Sequence, residues 1–250
     1  MILSKRHSYI FLHCVKTAGT SVSVSLARDL GPLDIQIGSL CETIDEGIRP
    51  TAATALRLAT PRGSYKFMRT LAARKGFAES LNSGVKVSFN ATFGRHPEHC
   101  RSRDLLKVFP EAWEKFYKFC IVRNPYDRAV SYYYWTTKEL PERPTFSEFV
   151  RSVYGADRQE GYIAKFADNW PIYTINNEIA VDRVLRYESL VDDLRCVLKE
   201  IGVAWDGWMP NTKSETRQVR DYRLLYRDHD IETVAKFFRK EIEKFDYSFG

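Results

Sequence analysis

The chain has 250 residues, 44% of them hydrophobic, enough for one sizeable core, so a single domain over residues 1–250 is expected. A formal net charge of +6 and a pI of about 9.0 favour anionic ligands: nucleotides, phosphorylated or sulfated sugars, nucleic acid or acidic membrane. The five cysteines (Cys14, Cys41, Cys100, Cys120, Cys196) never form a CxxC pair, which argues against a disulfide framework and a zinc site. The start "MILSKRHSYIFLH" lacks the apolar stretch of a signal peptide, and no apolar run approaches the roughly 18 residues of a membrane span, so a cytoplasmic protein is expected.

Tyr9 to Leu12 is a short apolar run of strand formers, followed by a loop from Cys14 to Gly19 and by "TSVSVSLARDLGP". That stretch predicts a helix capped by Thr20 and stopped by Gly31 and Pro32. From Leu40 to Ser83, "TAATALRLA" and "FMRTLAARKGFAESL" read as two helices broken around Pro61 and Gly63. "VKVSFNATF", Val85 to Phe93, alternates as a strand does and runs into the turn "GRHPEHC", which places His96 just past a strand end.

"FYKFCIV", Phe116 to Val122, predicts a buried strand, and "RNPYDRAVSYYYW" a helix with Asn124 as cap, Pro125 at its first position and Asp127 in its first turn. Later come a strand in "VDRVLRY" and helices in "ESLVDDLRCVLKEIGV" and "DIETVAKFFRKEIEKF". Strands alternating with helices give an α/β fold whose central, mostly parallel sheet is flanked by helices. In such sheets ligands bind beyond the carboxyl ends of strands.

A strand that ends in a tight loop and a helix aims backbone N–H groups and the positive end of a helix dipole at one spot, which suits a phosphate. Lys16 adds a mobile charge there. The order "KTAGTS" reverses the lysine and glycine of GxxxxGK[ST], which weakens an ATPase or GTPase reading. Arg123 at the end of the second strand and Ser131 about two turns into the next helix can reach toward one oxyanion.

These residues resemble a known family. "HCVKTAGTS" and "IVRNPYDRAVSYYYW" are similar to the 5′-phosphosulfate loop and 3′-phosphate motif of sulfotransferases that use 3′-phosphoadenosine 5′-phosphosulfate (PAPS), most of all the carbohydrate sulfotransferases of the heparan 2-O type and their bacterial relatives. "VLRYESLVDDL" and "YRDHDIETVAKFFRKEIEKFDYSFG" resemble later segments of that family, whereas Leu40 to Ser83 matches none of it. The resemblance implies a sulfotransferase fold of the P-loop-NTPase type and PAPS as donor co-substrate. The bisphosphate PAP would be the product, with no metal.

It also implies roles. Lys16 would neutralise the oxygen bridging sulfur and phosphorus, Thr17, Ala18, Gly19, Thr20 and Ser21 would cradle the 5′-phosphosulfate, and Arg123 and Ser131 would hold the 3′-phosphate. Lys213, Arg217 or Arg220 in "PNTKSETRQVRDYR" would lie near the phosphates. His96 in "FGRHPEH" resembles the stretch that holds the general base, although Arg95 stands between Gly94 and His96; His99 is a rival and Glu98 a substitute.

Arg95, Arg101 and Arg103 fit an anionic glycan acceptor, though a solvated basic loop accounts for them more simply. Tyr132 to Trp135 could stack on bases, but on a helix they point around three sides and read as packing. A sulfuryl transferase acting on a carbohydrate hydroxyl is thus expected, with no nucleic-acid partner. The alternatives are a non-catalytic basic nucleotide- or nucleic-acid-binding protein of the same fold and, last, a kinase-like phosphotransferase.

Overall fold

The computed structural model describes residues 1–156, 167–210, 219 and 221–250. In chain order, β1 (Ile2–Ser4) and β2 (Tyr9–Leu12) precede α1 (Gly19–Ala27), and β3 (Ile35–Gln36) precedes six helices. These are α2 (Leu40–Asp45), α3 (Ala52–Leu56), α4 (Pro61–Ala72), α5 (Phe77–Phe93), α6 (Ser102–Val108) and α7 (Pro110–Lys115). Then come β4 (Tyr117–Val122), α8 (Pro125–Thr136), α9 (Phe146–Tyr154), β5 (Thr174–Ile175), β6 (Glu178–Ile179) and β7 (Arg183–Arg186). The last long helices are α10 (Leu190–Glu200), α11 (Asp228–Phe237) and α12 (Arg239–Phe245).

Two compact units emerge. The first holds Met1–Cys14, Ala18–Ile121 and residues 171–210 around a sheet of order β3-β1-β2-β4-β7. β2 and β4 pair in parallel, Tyr9 facing Tyr117 and Leu12 facing Cys120, while β1 runs antiparallel to both β2 and β3. β2, β3 and β4 therefore share one direction, and the fold is mixed α/β with a central, mostly parallel sheet flanked by helices. Phe11, Phe119 and Ile121 meet Val22 and Leu26 of α1 and Leu194 of α10 in a fully desolvated core.

β1 and β3 escape a period-two reading because three and two residues are too short to alternate. The turn between β1 and β2 is organised by the buried Asp34 carboxylate, which accepts from the N–H groups of Lys5 (2.7 Å) and Arg6 (3.1 Å) and from the Ser4 hydroxyl (2.8 Å).

Two expectations about the helices α4 and α5 are corrected. Val85 to Phe93 is the second half of α5, not a strand: Leu81, Val85 and Phe89 are buried at four-residue spacing, the repeat of a helix face. The first expected helix does end just before Pro61, at the extended Thr60 that caps α4, but the second, over Phe67 to Leu81, is itself interrupted at Arg74 (φ 56°) and Gly76 (φ 81°). Gly63 instead sits within α4 where that helix crosses α5. A Cβ on Gly84 would lie 2.9 Å from the Gly63 carbonyl oxygen, so the two backbones touch only because both residues lack a side chain.

The second unit gathers Val15–Thr17, residues 122–156 and 167–170, and residues 221–250. Its core is aromatic. Tyr133 lies 5.5 Å from Phe146 and 5.3 Å from Phe149, and Tyr154 packs on Phe237 (5.0 Å) and Phe238 (5.2 Å). The closing helix expected over Asp230 to Phe245 divides at Phe238, which leaves helical geometry to bury its ring under the Arg128 guanidinium, 4.5 Å away. Arg128 also meets Glu241 at 3.1 Å, both side chains buried. Among the described residues no helix is long and apolar enough to cross a membrane.

Candidate active site

The chain leaves β2 through His13 and Cys14, both buried, and enters a turn in which Lys16 (φ 63°) and Ala18 (φ 64°) are left-handed. Such a conformation costs an L-residue roughly 1–2 kcal/mol, so two within three residues mark a turn that the surroundings impose. Part of that imposition comes from Asn169, 1% exposed, whose side-chain carbonyl accepts from the Val15 N–H (2.8 Å) while its amide donates to the Val15 carbonyl (3.0 Å). One side chain thus clips the residue before Lys16 as a neighbouring strand would.

α1 begins at Gly19, one residue before the expected cap Thr20, and that expectation is corrected: Ala18 occupies the cap position. Its left-handed backbone turns the chain early, and no side chain caps the helix or places a carboxylate in its first turn. The positive end of the dipole therefore has no anionic side chain of its own there. Gly19 is obligatory, because a Cβ at that position would fall 2.0 Å from His13 Cδ2.

β4 ends at Val122, and Arg123 follows at 8% exposure. Asn124 caps α8 by accepting from the Tyr126 N–H (3.0 Å), with Pro125 first in the helix and Asp127 in its first turn, as the sequence predicts. The Arg123 guanidinium donates through Nε to Asp127 (2.7 Å) and through Nη1 to the Lys16 carbonyl (3.3 Å). The two turns that leave neighbouring parallel strands are tied together by this arginine.

Asp127, Ser131 and Trp135 recur every four residues along α8 and share one stripe about 12 Å long. Arg123 sits at the start of that stripe on Asp127, and Lys16 Nζ lies 5.7 Å from the Trp135 ring centroid at its far end. Tyr132, Tyr133 and Tyr134 are buried as packing residues, as expected, and Trp135 departs from that pattern. Two cations therefore flank one helix stripe that carries Ser131.

His96 follows α5, so the strand end expected before it is corrected to a helix end, where Gly94 (φ 83°) turns the chain. In the first unit Glu98, 8% exposed, receives an ion pair from Lys86 of α5 and faces His96 Nδ1 at 3.6 Å. Burial alone would push the Glu98 carboxyl up, but the facing His96 and His99 imidazoles and the Lys86 charge outweigh it and hold it well below the usual carboxylate range. Glu98 is thereby held ionised, as an anchor for the Lys86 ammonium. His99 donates from Nδ1 to the His13 carbonyl (2.7 Å), and burial pushes its pKa down to about 4, so its imidazole is neutral near neutral pH.

Lys16, Thr17, Arg123 and Ser131 fall in one unit, and Ala18, Gly19, Thr20 and Ser21 continue from that turn into α1. Lys213, Arg217 and Arg220 lie outside the described residues. Asp127, Trp135, Asn169, Lys86 and the close contact of His13 with Gly19 were not foreseen as site features. Asp127 and Trp135 are legible from their four-residue spacing to Arg123 and Ser131. Asn169 is not, because 154 residues separate it from Val15.

A family model, the sulfotransferase family, matches residues 1–248. An uncharacterized protein of Archaeoglobus fulgidus is 32% identical over 101 residues, which cover 39% of this chain and 77% of that protein. A sulfotransferase of known crystal structure from Alicyclobacillus acidocaldarius is similar over 96% of each chain, at 16% identity and a TM-score of 0.46. With a family model spanning nearly every residue, this chain belongs to the sulfotransferase family.

Proposed function

We propose that the chain transfers a sulfuryl group from PAPS to a hydroxyl of a carbohydrate acceptor by in-line displacement. The observation that carries this reading is the 3.3 Å hydrogen bond from Arg123 to the Lys16 carbonyl, which couples a guanidinium after one strand to a lysine-bearing turn after its neighbour. A donor with phosphates on both sides of an adenosine needs two such positive positions.

In this reading the uncapped start of α1, with Thr17, Gly19, Thr20 and Ser21, receives the 5′-phosphosulfate. Arg123 and Ser131 receive the 3′-phosphate, and Asp127 holds the guanidinium fork in register. The acceptor oxygen forms a bond to sulfur as the bond from sulfur to the bridging oxygen breaks. Lys16 neutralises the charge left on the departing bisphosphate, and His96, held by Glu98, takes the acceptor proton. Arg95 and Arg103 are exposed and Arg101 half-buried, so an anionic glycan would meet them at the surface.

Calorimetry with 3′,5′-bisphosphoadenosine, AMP and ATP tests the donor. The bisphosphate is expected to bind at least about tenfold more tightly than either, since a phosphate held by arginine contributes about 1.5–3 kcal/mol. Equal affinities would end the reading. Transfer of labelled sulfate to a glycan panel tests the reaction, and Lys16→Ala is expected to lower it by about 10²- to 10³-fold.

A further inference from the structure

From Gly47 to Ala78 the chain carries seven cations and no Asp or Glu. α4 lies within that stretch, and its packing on α5 fixes which way it faces. Gly63 and Thr70 are buried, so the helix turns its opposite side outward. Pro61, Tyr65, Met68 and Ala72 recur at three- and four-residue spacing on that outer side, and all four are exposed. Tyr65 is 67% exposed and Met68 60%, values unusual for large apolar side chains on a helix that already has a packed face. Arg62, Lys66 and Arg69 line one flank of this stripe and Lys75 follows the helix. Phe77, 59% exposed, continues the apolar surface beside Phe67, with ring centroids 6.0 Å apart.

An apolar ridge edged by cations matches a surface that is negative outside and hydrocarbon beneath. A sulfated polymer would use the cations but offers far less hydrocarbon than a bilayer to protruding tyrosine, methionine and phenylalanine side chains. We propose that the outer face of α4 docks on anionic phospholipid bilayers, with Tyr65 and Met68 inserted at the headgroup boundary and Arg62, Lys66 and Arg69 on the lipid phosphates. This brings the enzyme to acceptors displayed at a membrane surface and does not depend on which acceptor it sulfates.

The test is sedimentation of the full chain with vesicles of phosphatidylcholine, alone or mixed with phosphatidylglycerol. Binding to the mixed vesicles alone is expected, weakening with added salt and by about fivefold for each cation removed. Arg62→Glu, Lys66→Glu and Arg69→Glu together should abolish it. Tyr65→Ser with Met68→Ser, which leaves the charge unchanged, should weaken it by about tenfold. Every changed side chain but the half-buried Lys66 is exposed, and an unchanged melting temperature checks that the variants fold. No binding to anionic vesicles, equal binding to neutral ones, or full binding by the charge variant would overturn the proposal. So would retention on a sulfated polysaccharide without vesicle binding, which would assign the face to a polymer.

Discussion

The turns after β2 and β4 and the hairpin of α4 with α5 are both basic, yet they use positive charge in different ways. Arg123 is 8% exposed and tied to Asp127 and to the Lys16 carbonyl, so its orientation is set before any ligand arrives. Arg62 and Arg69 on α4 are open to solvent. A fixed, desolvated cation recognises a particular anion through geometry, whereas exposed cations attract anionic surfaces through their sum. Equal charge counts in a sequence therefore conceal two different tasks.

The largest effect that would sharpen this contrast is expected at Arg123. Arg123→Gln should reduce affinity for 3′,5′-bisphosphoadenosine by about 100-fold and leave AMP binding within a few-fold, read by calorimetry. It should also lower the melting temperature, because Asp127 loses its buried partner. Loss of AMP binding to the same degree would break the contrast, since Arg123 would then act on the whole site rather than on one phosphate.

The hairpin should respond through stability instead. In Gly84→Ala the new methyl would meet the Gly63 carbonyl at 2.9 Å and Leu58 Cδ2 at 2.6 Å, and denaturant unfolding should show a loss of about 1–3 kcal/mol. Nucleotide affinity of the folded protein should not change. A variant as stable as the parent would mean that the two helices can separate freely.

The last effect is expected at His99, whose Nδ1 donates to the His13 carbonyl. Its folded pKa, about 4, is below the unfolded value of about 6.5, so the unfolded chain binds the extra proton. The contribution is complete above about pH 6.5 and is lost as pH falls toward 4, on the order of 2 kcal/mol in all. Melting curves across that range should fall for the parent and flatten for His99→Gln. Parallel curves would show that burial of this imidazole carries no linkage.

The contrast also explains what could be read from sequence. "RNPYDRAVSYYYW" spells out its own helix, because Asn124, Pro125 and Asp127 each satisfy a local rule at its start. α5 does not, because Val85, Val87 and Phe89 alternate within a nine-residue window while Leu81, Val85 and Phe89 follow a helix repeat in a longer one. The wrong period moved His96 from a helix end to a strand end without changing its position in the chain. Thr20 looked like a cap because hydroxyls usually cap, but the left-handed Ala18 decides where α1 begins. Asn169 was invisible since its effect is made wholly by folding, across the length of the molecule.

The bare crossing of Gly63 with Gly84 gives the outer side of α4 an unusual freedom. Backbone contact anchors the rod, so side chains pointing away from it can drift during evolution without disturbing the sheet or the turns after β2 and β4. Relatives could thus retune the place where they work while inheriting the same chemistry.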